Sequence, residues 1–245
     1  MFELTPLANA AITVGISMLL LAIILWKNLL TRPGSVTSFC IGVAIGIFGG
    51  VEWLFMLLLL LFSSILATRY KFALKKKMGV HEGQKGERGT VSVLANGLTA
   101  AFVALLSSPW VNVIDPVTGA VIFTTAVSVA GADTFASELG VLDRRPRLIT
   151  TFEKVRPGVD GGISILGTLA ALAAAFYISL VGYLLLMRGE SIHLMFIPMV
   201  IGFFGCQLDS LIGATIETAG YITKSGNNFV SITLGSVMAW IWMLL

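Results

Sequence analysis

Residues 36–67 read VTSFCIGVAIGIFGGVEWLFMLLLLLFSSILA, an apolar run with no basic residue and a single acid, Glu52. As one helix this stretch would be about 48 Å long, against the roughly 30 Å of a bilayer's hydrocarbon core. As two helices broken at Gly49-Gly50, each half is short for a span. The lysines and arginines decide between the two. If the chain turns at the glycine pair, segments 27–35, 68–90, 140–162 and 219–228 all emerge on one side, and they hold 15 of the 16 basic residues, Arg188 being the exception. Without the turn, Lys27 and Arg32 move to the other side. Cytoplasmic loops carry the excess of Lys and Arg, so two helices are expected.

Outward from that stretch, apolar runs of spanning length recur at 7–26, 91–106, 117–139, 163–187, 193–218 and 229–245. With 36–49 and 51–67 they predict an all-α polytopic transmembrane helix bundle of seven or eight helices, eight being the better count, with both termini outside. The chain reads as a single transmembrane domain, 1–245, whose basic cytoplasmic loops are about 68–90 and 140–162. Composition agrees: of 245 residues 56% are hydrophobic and 12% charged, with mean hydropathy +0.93. A soluble domain would carry about 25% charged residues. The first span has an acidic flank, Glu3, and no small-residue cleavage site before Lys27, unlike a signal peptide. Cys40 and Cys206 both fall in apolar spans, where thiols act as small hydrophobes rather than as a disulfide or metal pair.

Acids inside spans are costly, on the order of 3 kcal/mol each on insertion scales, and are candidates for function by default. Here they are Asp133, Glu138, Asp209, Glu217 and, near the outer turn, Glu52. Helix rise places Asp133 about 9 Å and Asp209 about 13 Å below the cytoplasmic ends of their helices. Glu138 and Glu217 sit near that surface, Asn96 enters the next helix from the same side, and Asn227-Asn228 begin the last one. Gly205, Asp209 and Gly213 share one helical stripe, as do Asp133, Ala136, Ser137 and Gly140. Small-residue stripes serve packing in many membrane bundles, but an aspartate in each stripe points to function. The loop 140–162 carries Arg144, Arg145, Arg147, Lys154 and Arg156 and ends in Gly161-Gly162 before a helix expected near Ile163. A glycine pair opening a helix exposes N–H groups at its positive end, where anions bind. The Lys-rich loop 68–90 reads as a topology anchor. His81 and His193 stand alone on opposite sides, without partners at ligand spacing. Acids around a phosphate cradle suggest Mg²⁺ held by carboxylates and bridging phosphate oxygens. A site about 10 Å below the membrane surface meets a lipid-borne phosphate from one side and a soluble nucleotide from the other.

The stretches GADTFASELGVL and RPRLITTFEKVRPGVDGGISILGT, with GERGTVSVLANG before them and GFFGCQLDSLIGAT after, resemble a family of integral membrane proteins widespread in archaea and bacteria. That family includes the chloroplast phytyl-phosphate kinase of tocopherol synthesis. The resemblance runs in motif order from about Leu66 onward. Asp133-x-x-Ala136-x-x-x-Gly140 is also similar to the opening of the motif in CTP-dependent dolichol and phytol kinases and in CDP-diacylglycerol synthases. It implies an enzyme, a phosphotransferase that uses CTP and Mg²⁺ to convert an isoprenyl monophosphate to the diphosphate at the cytoplasmic face of a prokaryotic, archaeal-type cell membrane. Its implied partners are the lipid substrate, a nucleoside triphosphate and membrane lipid, with no nucleic acid. Asp133, Glu138 and Asp209 would be the catalytic and metal residues. Gly161, Gly162 and Ser164 would belong to the phosphate loop, and Arg147 and Lys154 would contact phosphate; the placement of polar residues at the same face, apart from the resemblance, adds Asn96, Arg144 and Asn227 as expected nucleotide and phosphate residues. The chain departs from the dolichol-kinase motif at VDGGIS, which replaces its lysine and glutamate-glycine ending. A cytidylyltransferase making a CDP-lipid and an ion-coupled transporter are the competing readings.

Overall fold

The computed structural model describes residues 5–81 and 86–245, so Glu3 and Lys85 lie outside the described residues. The described helices are α1 (Pro6–Lys27), α2 (Arg32–Phe48), α3 (Val51–Arg69), α4 (Phe72–Met78), α5 (Thr90–Ser107), α6 (Pro116–Gly140), α7 (Ile165–Leu186), α8 (His193–Ile212) and α9 (Lys224–Leu244). A π-helical turn, Gly213–Glu217, extends α8. Seven of these helices are long and apolar enough to cross a membrane, and the 17-residue α2 is a shorter apolar helix between two of them. The chain is a polytopic helical bundle.

The break within 36–67 occurs at the glycine pair. Gly50 adopts φ 107°, open to glycine at little cost. Asn9 of α1 seals the turn: its Nδ2 donates to the Gly46 carbonyl at 2.9 Å and its Oδ1 accepts from the Val51 N–H at 3.0 Å. Three helices start elsewhere than hydropathy suggests. α2 begins at Arg32 behind the Thr31 cap, α7 at Ile165 behind Ser164, and α9 at Lys224 behind Thr223. Hydropathy marks where a helix enters the apolar layer, whereas capping hydroxyls mark where the backbone turns helical. Two elements had no sequence signal: the seven-residue α4 in loop 68–90, and a hairpin in loop 140–162 that pairs β1 (Arg147–Leu148) antiparallel with β2 (Gly162–Ile163). Cys40 is exposed and Cys206 buried, and both are free thiols.

Glycine contacts show which helix ends lie together: Gly140 at the end of α6 meets Gly167 at the start of α7, and Gly182 near the end of α7 meets Thr124 near the start of α6. The described Lys and Arg residues other than Arg188 lie at the end where α1, α3, α6 and α8 finish and α2, α5, α7 and α9 begin, here called the basic end. Glu52 and Asp115 lie at the other. Asp115 caps α6, its Oδ1 accepting from the Val117 and Thr118 N–H groups at 3.1 and 3.0 Å. Bonding to the Thr118 side chain and backbone holds this carboxyl below its ordinary pKa.

Helix α6 is the axis of the bundle, buried along most of its length and packed by α3, α5, α7, α8 and α9. Its sequence of Gly, Ala, Ser, Thr and Val permits that close approach on all sides. Facing glycines do the same. A Cβ on Gly205 of α8 would stand 2.7 Å from Val129, and one on Gly235 of α9 would stand 2.8 Å from the same side chain. Gly202 of α8 likewise abuts Ser128. These contacts lock α6, α8 and α9 together at one level, midway along the bundle.

Candidate functional site

One turn from that level towards the basic end, the same three helices carry acids and amides. Four residues past Val129 is Asp133, and four past Gly205 is Asp209, so both acids arrive on the packed stripe at one depth. Helix α9 runs in the opposite sense and contributes Ser231, Asn228 and Asn227. Ser231 Oγ donates to Asp209 Oδ1 at 3.0 Å, and Asn228 Nδ2 donates to Asp133 Oδ2 at 3.2 Å. Asn227 Nδ2 reaches the Asp209 carbonyl at 2.9 Å and Glu217 Oε2 at 3.0 Å, tying α9 to the π-helical turn. The glycine stripes therefore pack the helices, and the packing delivers the acids.

Asp133 and Asp209 line a cavity of about 440 Å³ at the basic end, among α5, α6, α7, α8, α9 and the loop before α7. Its polar wall includes Ser92 and Asn96 of α5, Gln207 and Ser210 of α8, Glu217, and the cations Arg88 and Lys224. The N-termini of α5, α7 and α9 all lie at this cavity, represented in its wall by Ser92, Gly167 and Ser225. Their dipoles favour anions there. The first turn of α5 has no side-chain cap, and Arg88 stands just before it, donating to Thr134 Oγ1 at 3.4 Å.

Of the residues selected from sequence, Asn96, Asp133, Glu138, Gly161, Gly162, Ser164, Asp209 and Asn227 line the cavity, whereas Arg144, Arg147 and Lys154 do not. Those three are exposed. Arg147 is spent on the hairpin, donating to the Phe152 carbonyl at 2.7 Å, and Lys154 bridges to it across the same hairpin. Among the described residues Arg88 and Lys224 are the lysine and arginine cations that line the cavity instead. Glu138 is at the wall but engaged: its carboxylate takes Lys75 Nζ at 2.6 Å and the Thr68 hydroxyl at 2.9 Å. Lys75 is fully buried and also donates to the Ala67 and Thr68 carbonyls. A metal at Glu138 would have to displace that ammonium.

The glycine pair is not a helix opening. Gly162 belongs to β2 and its N–H is bonded to the Val159 carbonyl at 2.9 Å, so it is not free for phosphate. Gly161 adopts φ 73° and leaves no room for a Cβ against Ala214, which fits the loop to the end of α8. Ser164 caps α7, accepting from Gly167 N–H at 3.1 Å while donating to the Gly140 carbonyl at 3.2 Å.

His81, unassigned by sequence, lines the cavity and packs edge-on against Phe72. Arg88, Lys224, Asn228 and Ser231 were also missed. Asn228 alone carried a signal, as the second half of an Asn-Asn pair at the helix start.

Among the described residues no group of three His, Cys, Asp or Glu side chains converges as a metal cluster. Mg²⁺ needs less than that, since one or two carboxylates with waters and substrate phosphates complete its octahedron. The side chains gathered around Asp133 and Asp209 offer hard oxygens, and the buried Asn228 and Asn96 Oδ1 atoms have no hydrogen-bond partner among the described residues. Two carboxylates at one depth and two unfulfilled oxygen acceptors fit a hydrated divalent cation or an amino-bearing ligand.

Residues 15–238 match the family of integral membrane proteins designated DUF92. An uncharacterized membrane protein of Methanocaldococcus jannaschii is 34% identical over 210 residues, covering 85% of this chain and 84% of its own. Protein PGR of Arabidopsis thaliana is 28% identical, with 86% and 88% covered. Protein VTE6, chloroplastic, also of Arabidopsis thaliana, is 31% identical over 185 residues, covering 71% of this chain and 53% of the longer relative. No solved structure matches. The chain belongs to the DUF92 family of integral membrane proteins.

Proposed function

We propose that this family member is a CTP- and Mg²⁺-dependent isoprenyl-phosphate kinase working at the cytoplasmic membrane face. It would transfer the γ-phosphoryl group of CTP to a phytyl- or geranylgeranyl-type monophosphate, leaving CDP and the lipid diphosphate. The observation that carries this reading is the placement of Asp133 and Asp209 from separate helices in one cavity, beside Arg88, Lys224 and three helix N-termini. Acids for a cation and positive groups for phosphates are the parts phosphoryl transfer needs.

Asp133 and Asp209 would hold Mg²⁺, which when bound neutralises charge on the phosphates. Arg88 and the uncapped start of α5 would orient the acceptor phosphate, with Lys224 on the nucleotide phosphates. The acceptor is itself a phosphate whose second ionisation lies near pH 6, so orientation matters more than a general base. The acids lie about 10 Å below the end of the bundle, where a lipid phosphate arrives laterally and a nucleotide from solvent.

Purified protein with Mg²⁺, γ-labelled CTP and geranylgeranyl monophosphate should form labelled lipid diphosphate and CDP. Release of pyrophosphate with a CDP-lipid would replace this reading by cytidylyl transfer. Absence of both products across a panel of lipid phosphates and nucleotides would end it.

A further inference from the structure

A second, apolar cleft of about 80 Å³, partly open at the protein surface, lies between α1, α2, α3 and α5. Its walls are mainly aliphatic, among them Ile24, Leu57 and Leu61. Serines and one end rich in polar groups interrupt them, and three of the polar residues, Arg88, Ser92 and Asn96, also line the large polar cavity. The two spaces thus share a wall made of a guanidinium, a hydroxyl and an amide, with acids on one side and hydrocarbon on the other. A molecule with an anionic head and one slender apolar chain matches that arrangement. A free nucleotide has nothing to place in the apolar half.

We infer that the cleft between α1, α2, α3 and α5 holds the proximal hydrocarbon chain of the lipid monophosphate, with its phosphate at Arg88 and Asn96. This rests on the reading of the polar cavity as a site for a lipid phosphate, and it makes the first three helices the part of the protein that selects the tail. Depth is consistent along two helices. Gly42 lies ten residues into α2 from Arg32, and Ser17 lies ten residues before Lys27 in α1, each about 15 Å from the basic end. Asn96 lies about 9 Å in from the start of α5. The chain therefore passes from Asn96 towards Gly42 and Ser17, then continues into the bilayer. Gly42 and Ser17 face each other: a Cβ at Gly42 would meet Ser17 Oγ at 3.7 Å and Leu54 Cδ1 at 3.4 Å, ordinary contacts. A larger side chain at either position narrows the cleft at a depth that a five-carbon tail does not pass.

The test is thermal stabilisation of the detergent-solubilised chain, with no nucleotide present, by geranylgeranyl monophosphate, by isopentenyl monophosphate and by inorganic phosphate. A ligand that binds the folded state raises Tm. The expected result is a larger rise with geranylgeranyl monophosphate than with the other two. Gly42→Leu, and independently Ser17→Leu, should remove that extra rise, weakening the long-chain ligand at least tenfold while leaving the isopentenyl response unchanged. An equal response of both variants and the parent to the long chain would overturn the inference, as would a parent that responds no more to it than to inorganic phosphate. This readout needs no turnover: a tail-dependent shift without diphosphate formation would sink the kinase reading and leave the cleft assignment standing.

Discussion

Lys75 and Glu138 form an ion pair at 2.6 Å in which the lysine side chain is wholly buried, joining α4 to the last turn of α6. A lysine run that looks like a simple topology anchor thus divides its labour. Lys76 and Lys77 are exposed at the basic end, and Lys75 turns inward to neutralise an acid beside the cavity. This makes Glu138 a positioning residue for α4 and the neighbouring Val80 and His81, both of which line the cavity.

Breaking that pair from one side leaves a buried charge. Lys75→Met should destabilise the chain by about 3 kcal/mol or more, read as a fall in Tm in detergent. The double variant Lys75→Met, Glu138→Gln should recover most of it, because both charges leave together. If the double variant regains turnover along with stability, Glu138 is no metal ligand. If Tm recovers and turnover does not, the carboxylate acts on the substrate or metal.

Asp133→Asn and Asp209→Asn are expected to reduce lipid diphosphate formation by at least about a hundredfold each, the scale of losing one strong electrostatic contact to the transition state. Tm without ligand should hold or rise, since a costly ionisable group is removed from within a span. Titration with Mg²⁺ checks the assignment. A variant whose activity and Mg²⁺ dependence match the parent would remove that aspartate from the site.

The two cavity cations are expected to separate by substrate. Arg88→Gln should raise KM for the lipid monophosphate, and Lys224→Gln should raise KM for the nucleotide, each about tenfold or more, the order of one charge-assisted hydrogen bond. The triple change of Arg144, Arg147 and Lys154 to Ala should alter either KM by less than about threefold, as for exposed charges away from a site. A steady-state comparison of the four proteins decides it, and a large KM effect confined to the triple variant would place phosphate on the hairpin.

Asp115 offers a test far from the chemistry. Its lowered pKa means that its cap is present at neutral pH and is lost as pH falls through the folded-state value, below the ordinary carboxyl range. Asp115→Ala should therefore lower stability by about 1 kcal/mol at pH 7, with the gap to the parent closing below about pH 4. Tm measured against pH checks the sign; a gap that widens in acid contradicts it.

Much of the architecture is written in quantities that each segment carries alone. Hydropathy over about twenty residues and the side on which Lys and Arg emerge are set by the bilayer, and they suffice for the bundle, the turn at Gly49-Gly50 and the basic end. Helix rise puts Asp133 and Asp209 within about 4 Å of one depth, and the packing of Gly205 on Val129 brings them level. Which way a side chain points is not local. Helices α6, α8 and α9 meet at Val129, Gly205 and Gly235, and that contact fixes their rotation and turns Asn228 and Ser231 onto the acids. The hairpin β1–β2 carries Arg147 and Lys154 away from the cavity through pairings folded within one loop, and α4 brings Lys75 to Glu138 from a segment far off in sequence. The sequence by itself determined a bundle of about eight apolar helices, which way they run relative to one another and roughly how deep the acids sit. Only the tertiary structure decided which cations face those acids, because that depends on how close the glycines let three helices come.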